Sequence, residues 1–188
     1  MYQLFQKSVS ALAIALSLST VSAAVSGCSS SPQTAEGWHQ QGIVQTQQSN
    51  LDKAIESFDK AVMLEAENTT MLVNRGLVRD ELGDHQGAIE DYGRAIALEP
   101  TLVPAYYNRA NSYHNLEKYE KSIADYSQAI DLEAGFAYAY VNRAINYEML
   151  GDLEQATQDL NLALDTFKAN EDRENIDRIT AKLSELQS

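Results

Sequence analysis

Apolar and small side chains recur along this chain at one fixed distance. Ala54, Ala88, Ser122 and Ala156 are 34 residues apart, as are Phe58, Tyr92, Tyr126 and Leu160, and Ala61, Ala95, Ala129 and Ala163. Gly42, Gly76, Ala110 and Ala144 keep the same period, and Trp38, Leu72, Tyr106 and Tyr140 stand four residues before them. Counted within each unit these are positions 4, 8, 20, 24 and 27. Their internal steps lie on one face of a 3.6-residue period, so each unit is predicted to be two amphipathic helices that approach closely wherever a small side chain meets a ring. Between the helices stand Ser49-Asn50, Gly83-Asp84, Glu117-Lys118 and Gly151-Asp152. Gly past one helix and Asp at the next N-cap is favourable local chemistry, and Glu117-Lys118 departs from it. The units run 35–68, 69–102, 103–136 and 137–170 without an insertion.

Read as W-x₃-G…A-x₃-F-x₂-A, with Pro100 at position 32 of the second unit, the pattern resembles the tetratricopeptide repeat. Gln45 and Arg79 stand where position 11 of that family usually carries Tyr, which Tyr113 and Tyr147 keep, and only the second unit has the closing Pro. The resemblance implies an all-α, right-handed superhelical solenoid of four helix pairs. Residues 171–188 follow, with Ile176, Ile179, Leu183 and Leu186 on one stripe. They read as a capping helix over the apolar face that the last pair leaves open; the alternative is a helix that binds a partner in trans.

Residues 8–35 carry no charge. Lys7, an apolar run over residues 9–18 and then small residues follow the order of an export signal. The run ends in Val25-Ser26-Gly27-Cys28, which resembles a bacterial lipobox. That resemblance implies a signal peptide over residues 1–27, an acyl acceptor at Cys28 carrying chains such as palmitate, and a tether over 28–34. The chain would be lipid-anchored in a bacterial cell envelope, facing the periplasm or exterior. Two other readings remain open, an uncleaved membrane anchor and a buried structural cysteine. Scattered Ser and Thr make the first a poor span, and the second does not require this order of segments.

Charge narrows the function. With 14 Lys and Arg against 27 Asp and Glu among 188 residues, the net charge is −13, which argues against nucleic-acid phosphates as a ligand. One Cys cannot form an internal disulfide or a cysteine-based zinc site. His39, His85 and His114 make no metal-ligand spacing, and no nucleophile elbow or phosphate-binding loop is present. The carboxylates read as a solvated face. No enzyme activity, metal or cofactor is expected.

In the family, positions 2, 5, 9, 12 and 13 of each first helix line a concave groove that takes a peptide or helix. Carried onto this chain, they are Glu36, His39, Ile43, Thr46 and Gln47; Thr70, Val73, Leu77, Asp80 and Glu81; Pro104, Tyr107, Asn111, His114 and Asn115; and Tyr138, Val141, Ile145, Glu148 and Met149. This lining is apolar and acidic and includes no Lys or Arg, so it lacks the cations of the carboxylate-clamp arrays. The Asn of those arrays is matched at position 6 by Asn74, Asn108 and Asn142, which either bond a partner's backbone or bond the neighbouring helix. His114 is either a ligand contact or a plain polar lining residue. Tyr107 and Tyr138 are either anchors or fillers between first helices.

The expected partner is a protein segment, amphipathic or extended, with hydrophobic anchors and Lys or Arg at its rim. The role this implies is a scaffold or adaptor in envelope assembly. The rival is a self-associating structural module, a homo-oligomer without a peptide ligand. Arg75, Arg109 and Arg143 at position 7 are matched by Asp91, Asp125 and Asp159 at position 23, whereas the first unit has Gln41 and Ser57. Three salt bridges within repeats are therefore expected.

Overall fold

The computed structural model describes residues 33–186; Cys28, the signal segment and most of the tether lie outside the described residues. Nine helices make up the described chain: α1 (Ala35–Gln47), α2 (Leu51–Leu64), α3 (Thr69–Glu81), α4 (His85–Leu98), α5 (Val103–Asn115), α6 (Tyr119–Leu132), α7 (Ala137–Met149), α8 (Leu153–Ala169) and α9 (Arg173–Leu186). They form pairs followed by a terminal helix, as the period predicts. Contacts group them into two compact units, one running to Ala105 and one from Tyr106, with the division inside α5.

Local chemistry starts most of these helices. Thr34, Asn68, Asp84 and Asp152 accept from the backbone N–H three residues on, satisfying a donor that has no partner inside the helix. Asn50 and Lys118 make no such bond. The turns within pairs need a left-handed residue, supplied by Gly83 at φ 84° and Gly151 at φ 80°, but in the other two pairs by Ser49 at 58° and Glu117 at 57°. One difference from the repeat pattern lies at the end. Helix α8 has 17 residues where α2, α4 and α6 have 14, and it meets α9 through Glu171 at φ 56°. The bond from Asp172 N to Phe167 O, 3.0 Å, repeats that from Asn50 N to Gln45 O, 2.8 Å. The chain therefore enters α9 by the kind of turn used inside a pair.

In the first unit the core is built from Ala61, Val62, Met71, Leu72, Ala88, Tyr92 and Ala95, with a second cluster at Ile43, Ala54, Phe58 and Val78. A Cβ on Gly76 would stand 2.6 Å from Tyr92 Cε1, so the hydrogen is what lets α3 settle on that ring. In the second unit Val141, Ala144, Ala156, Leu160, Ala163, Phe167 and Ile179 form the core, and Ile176, Leu183 and Leu186 pack on it. The stripe on α9 thus covers the last pair, as expected of a cap.

All three expected Arg–Asp pairs are present, each two-pronged. Arg75 donates to Asp91 at 2.8 and 2.6 Å, Arg109 to Asp125 at 2.6 and 2.8 Å, and Arg143 to Asp159 at 2.7 and 2.7 Å. The third guanidinium nitrogen reaches the preceding second helix, Arg75 to Asp59 at 2.9 Å and Arg143 to the Ser127 hydroxyl at 2.8 Å. Burial works against the Arg75 charge, and its bonds to Asp91 and Asp59 outweigh that, so its pKa lies above the ordinary value. Where the first unit lacks the pair, Ser57 donates instead to Gln45 Oε1 at 2.7 Å.

Candidate functional site

In the first unit the lining positions split by depth. On α1, His39 and Ile43 are buried while Glu36 and Gln47 are exposed. On α3, Val73 is buried, Leu77 and Asp80 are half-buried, and Thr70 and Glu81 are exposed. Asn74 turns its amide to His39 Nε2 at 2.8 Å, joining α1 to α3. Burial lowers the His39 pKa, with Glu36 pulling the other way. Asp80 is drawn toward the turn: its Oδ1 lies 2.9 Å from His85 Nδ1, and its Oδ2 accepts from the Tyr92 hydroxyl at 3.0 Å. Tyr92 consequently ionises only well above its usual range, through burial first and then the Asp80 charge.

The second unit corrects several expectations. Tyr107, 1% exposed, is no surface anchor. Its ring packs against Tyr126 at 5.6 Å and Phe136 at 4.8 Å, and its hydroxyl accepts from Asn142 Nδ2 at 2.8 Å. Val141 and Asn142 are wholly buried and Asn108 and Asn111 nearly so. Asn111 Oδ1 accepts from the Tyr126 hydroxyl and from Asn142 Nδ2. The physical reason is the step of 35 residues that both His39 to Asn74 and Tyr107 to Asn142 share. Positions 5 and 6 of successive first helices face each other, so these amides serve the helix seam. His114 belongs to the same seam, its Nδ1 3.0 Å from Asn146 Oδ1 and its ring edge-on to Tyr119; burial lowers its pKa against the pull of that bond.

Helix α9 closes over the lining of the fourth repeat. Asn175 Nδ2 donates to the Tyr138 hydroxyl at 3.2 Å, Tyr138 stacks edge-on to Phe167 at 5.4 Å, and Ile145 packs on the same cluster. Lys182 Nζ reaches Glu148 Oε1 at 2.7 Å and Glu185 at 3.4 Å. A lining expected to hold no cation thus receives one from outside the repeats. Met149 alone of the fourth-repeat lining is largely exposed, at 56%, beside Leu150 at 45% and Leu153 at 47%. Sequence reasoning passed over Lys182, although its place between Ile179 and Leu183 on the apolar stripe was a signal. It passed over Leu150 and Leu153 because the period places them at a turn.

Among the described residues no group of three or more His, Cys, Asp or Glu is placed to hold a metal, and no helix is long and apolar enough to cross a membrane. Stacked helix pairs with polar seams between successive first helices are the architecture of repeat scaffolds, a class that works by presenting surface to partners. Residues 35–68 and 103–136 each match a tetratricopeptide repeat model, and residues 81–117 match a TPR repeat model. The chain therefore carries tetratricopeptide repeats over these residues. No curated protein matches it in sequence. Among solved structures, a crystal structure of MamA is 26% identical, with 75% of this chain and 82% of that one covered at a TM-score of 0.72. MamA from Desulfovibrio magneticus RS-1, residues 41 to the end, is 16% identical with 84% and 97% covered at 0.68. The first TPR domain of Spaghetti (RPAP3), bound to the HSP90 peptide SRMEEVD, is 24% identical with 66% and 99% covered at 0.61. The last two are likenesses of fold.

Proposed function

We propose that this chain is a membrane-tethered adaptor of a bacterial envelope, anchored through Cys28, that holds a basic-hydrophobic protein segment on its first-helix faces. The observation that carries the reading is the α3 face. Leu77 is half-exposed there among Thr70, Asp80 and Glu81, while the guanidinium groups of that helix, Arg75 and Arg79, are bound to Asp91 and Asp59. An acidic tail such as the one on Spaghetti would meet no free cation at these positions. Val73 and Asn74 support that face from beneath. In the second unit the accessible contacts are Glu148, Met149 and the half-buried His114 and Ile145, with Asn108 and Asn111 behind them. A tether of seven residues extends at most ~25 Å, which keeps the partner near the membrane.

A photo-crosslinking residue at Leu77, with one at the exposed Glu90 on α4 as control, tests the face. Equal capture at both positions removes the reading. For the anchor, Cys28→Ser should abolish incorporation of labelled fatty acid and release the protein from membranes; unchanged fractionation with no labelling of the wild type would end the lipoprotein reading. Self-association, the rival, is opposed by a net charge of −13 on every copy.

A further inference from the structure

The turn between α7 and α8 differs from the other turns within pairs. Met149, Leu150 and Leu153 expose 56%, 45% and 47% of their surface within five residues. At the corresponding places in the other three turns, Leu82 at 43% is the one exposed large apolar side chain among the described residues. The patch is held in shape before any contact. Asp152 N donates to Tyr147 O at 2.9 Å, Gly151 supplies the left-handed residue at φ 80°, and Asp152 Oδ1 caps Gln155 N at 3.1 Å. A preformed apolar patch of this kind is the signature of a contact surface, and Met suits one because it adapts its shape.

Charge selects the occupant. Asp152 and Glu154 flank the patch and are exposed. No Lys or Arg lies between Arg143 and Lys168 in the chain, and Arg143 is bound to Asp159. Lys182 is tied to Glu148 and Glu185. A second copy of the chain brings its own −13, and an anionic lipid surface is repelled in the same way. We propose that the α7–α8 turn is a second docking surface, separate from the α3 face, for an amphipathic protein helix with leucine-type anchors and flanking Lys or Arg. This rests on the protein-binding reading of the repeats and extends from Met149, at the edge of the concave lining, to Leu150 and Leu153, which that lining does not contain.

The test uses the purified chain and a fluorescent synthetic amphipathic helix of Leu and Lys, followed by anisotropy. Replacing all three residues, Met149→Ser, Leu150→Ser and Leu153→Ser, should weaken binding about tenfold or more at unchanged helix content. Removing two exposed charges elsewhere, Asp131→Asn with Glu133→Gln, should change it little. If the triple variant does not fold, Leu153→Ser alone should still weaken binding, and Asp152→Asn with Glu154→Gln should flatten its salt dependence. Loss of binding on Leu77→Ser with no effect of the turn variants overturns this proposal and leaves the α3 face standing; loss on the turn variants alone does the reverse. Equal weakening by the remote charge variant reduces the binding to bulk charge and overturns it. So does a wild-type dimer that the triple variant converts to monomer, since the patch would then belong to a second copy.

Discussion

Asp91, Asp125 and Asp159 have side chains only 1%, 9% and 5% exposed, and a carboxylate so far from water depends on its arginine. Position 7 with position 23 announces the pairing in the sequence, but the period says nothing about depth. A half-exposed pair contributes ~1 kcal/mol or less; a buried one behaves differently. Arg143→Met strands Asp159 and should cost about 3 kcal/mol in urea unfolding at neutral pH, whereas adding Asp159→Leu should recover most of that loss. No recovery would mean that the packing of the arginine stem, and not the orphaned charge, dominates. The histidines give a pH signature. His39 and His114 have pKa values lowered by burial from 6.5, so in the unfolded chain they take up protons first as the pH falls. Their neutral folded state contributes stability in full above pH 6.5, and this is lost as the pH drops below that value. The stability advantage of the wild type over a His39→Gln, His114→Gln variant should therefore shrink between pH 7.5 and 5.5. An advantage that grows on acidification would reverse the sign and refute the assignment.

At the scale of the helix and its turns, the strongest local signals were legible. Repetition of small and ring side chains in register places both helices of every pair, because close packing leaves little freedom at those positions. Two features escaped it. Asn50 stands at an N-cap yet makes no side-chain bond, and α8 runs three residues longer than its counterparts before turning into α9; neither depends on residue type alone. The turns also carry a measurable strain. Glu117 adopts φ 57° where Gly83 and Gly151 occupy the same place, and Lys118 offers no cap. Glu117→Gly with Lys118→Asp should raise the stability of the chain by about 1 kcal/mol, combining relief of a left-handed non-glycine residue with a new N-cap. Thermal melts of the two single variants would separate the contributions. Helix α9 should be needed for the integrity of the last pair: Ile179 is fully buried, and Ile179→Ala should cost about 2–4 kcal/mol. A loss well below 1 kcal/mol would make α9 a loosely docked appendage.

For the whole molecule, what the sequence leaves unread is mainly which side of a first helix faces a neighbour and which faces water. Family positions marked Tyr107, Val141 and Asn142 as lining, but the seam between successive first helices absorbs Tyr107 and Asn142, the core of the last pair takes in Val141, and α9 covers Tyr138. The acidic character, in contrast, is visible in composition and becomes sharper in three dimensions. Of the 14 cations, Arg75, Arg79, Arg109, Arg143 and Lys182 are turned inward onto carboxylates. Exposed Glu36, Glu81, Asp152 and Glu154 remain facing solvent. Two electrostatic effects then compete when salt is added. Repulsion among surface carboxylates is screened as the Debye length falls from about 30 Å at 0.01 M to about 3 Å at 1 M, while the buried Arg–Asp pairs are screened much less. Repulsion destabilises the compact state of a chain with net charge −13, so relieving it should win. The urea midpoint should rise with added sodium chloride, most steeply at the low end of the range. A midpoint that falls over the same range would show that surface-accessible ion pairs contribute more than repulsion removes, and that the inward-turned cations are less shielded than their burial indicates.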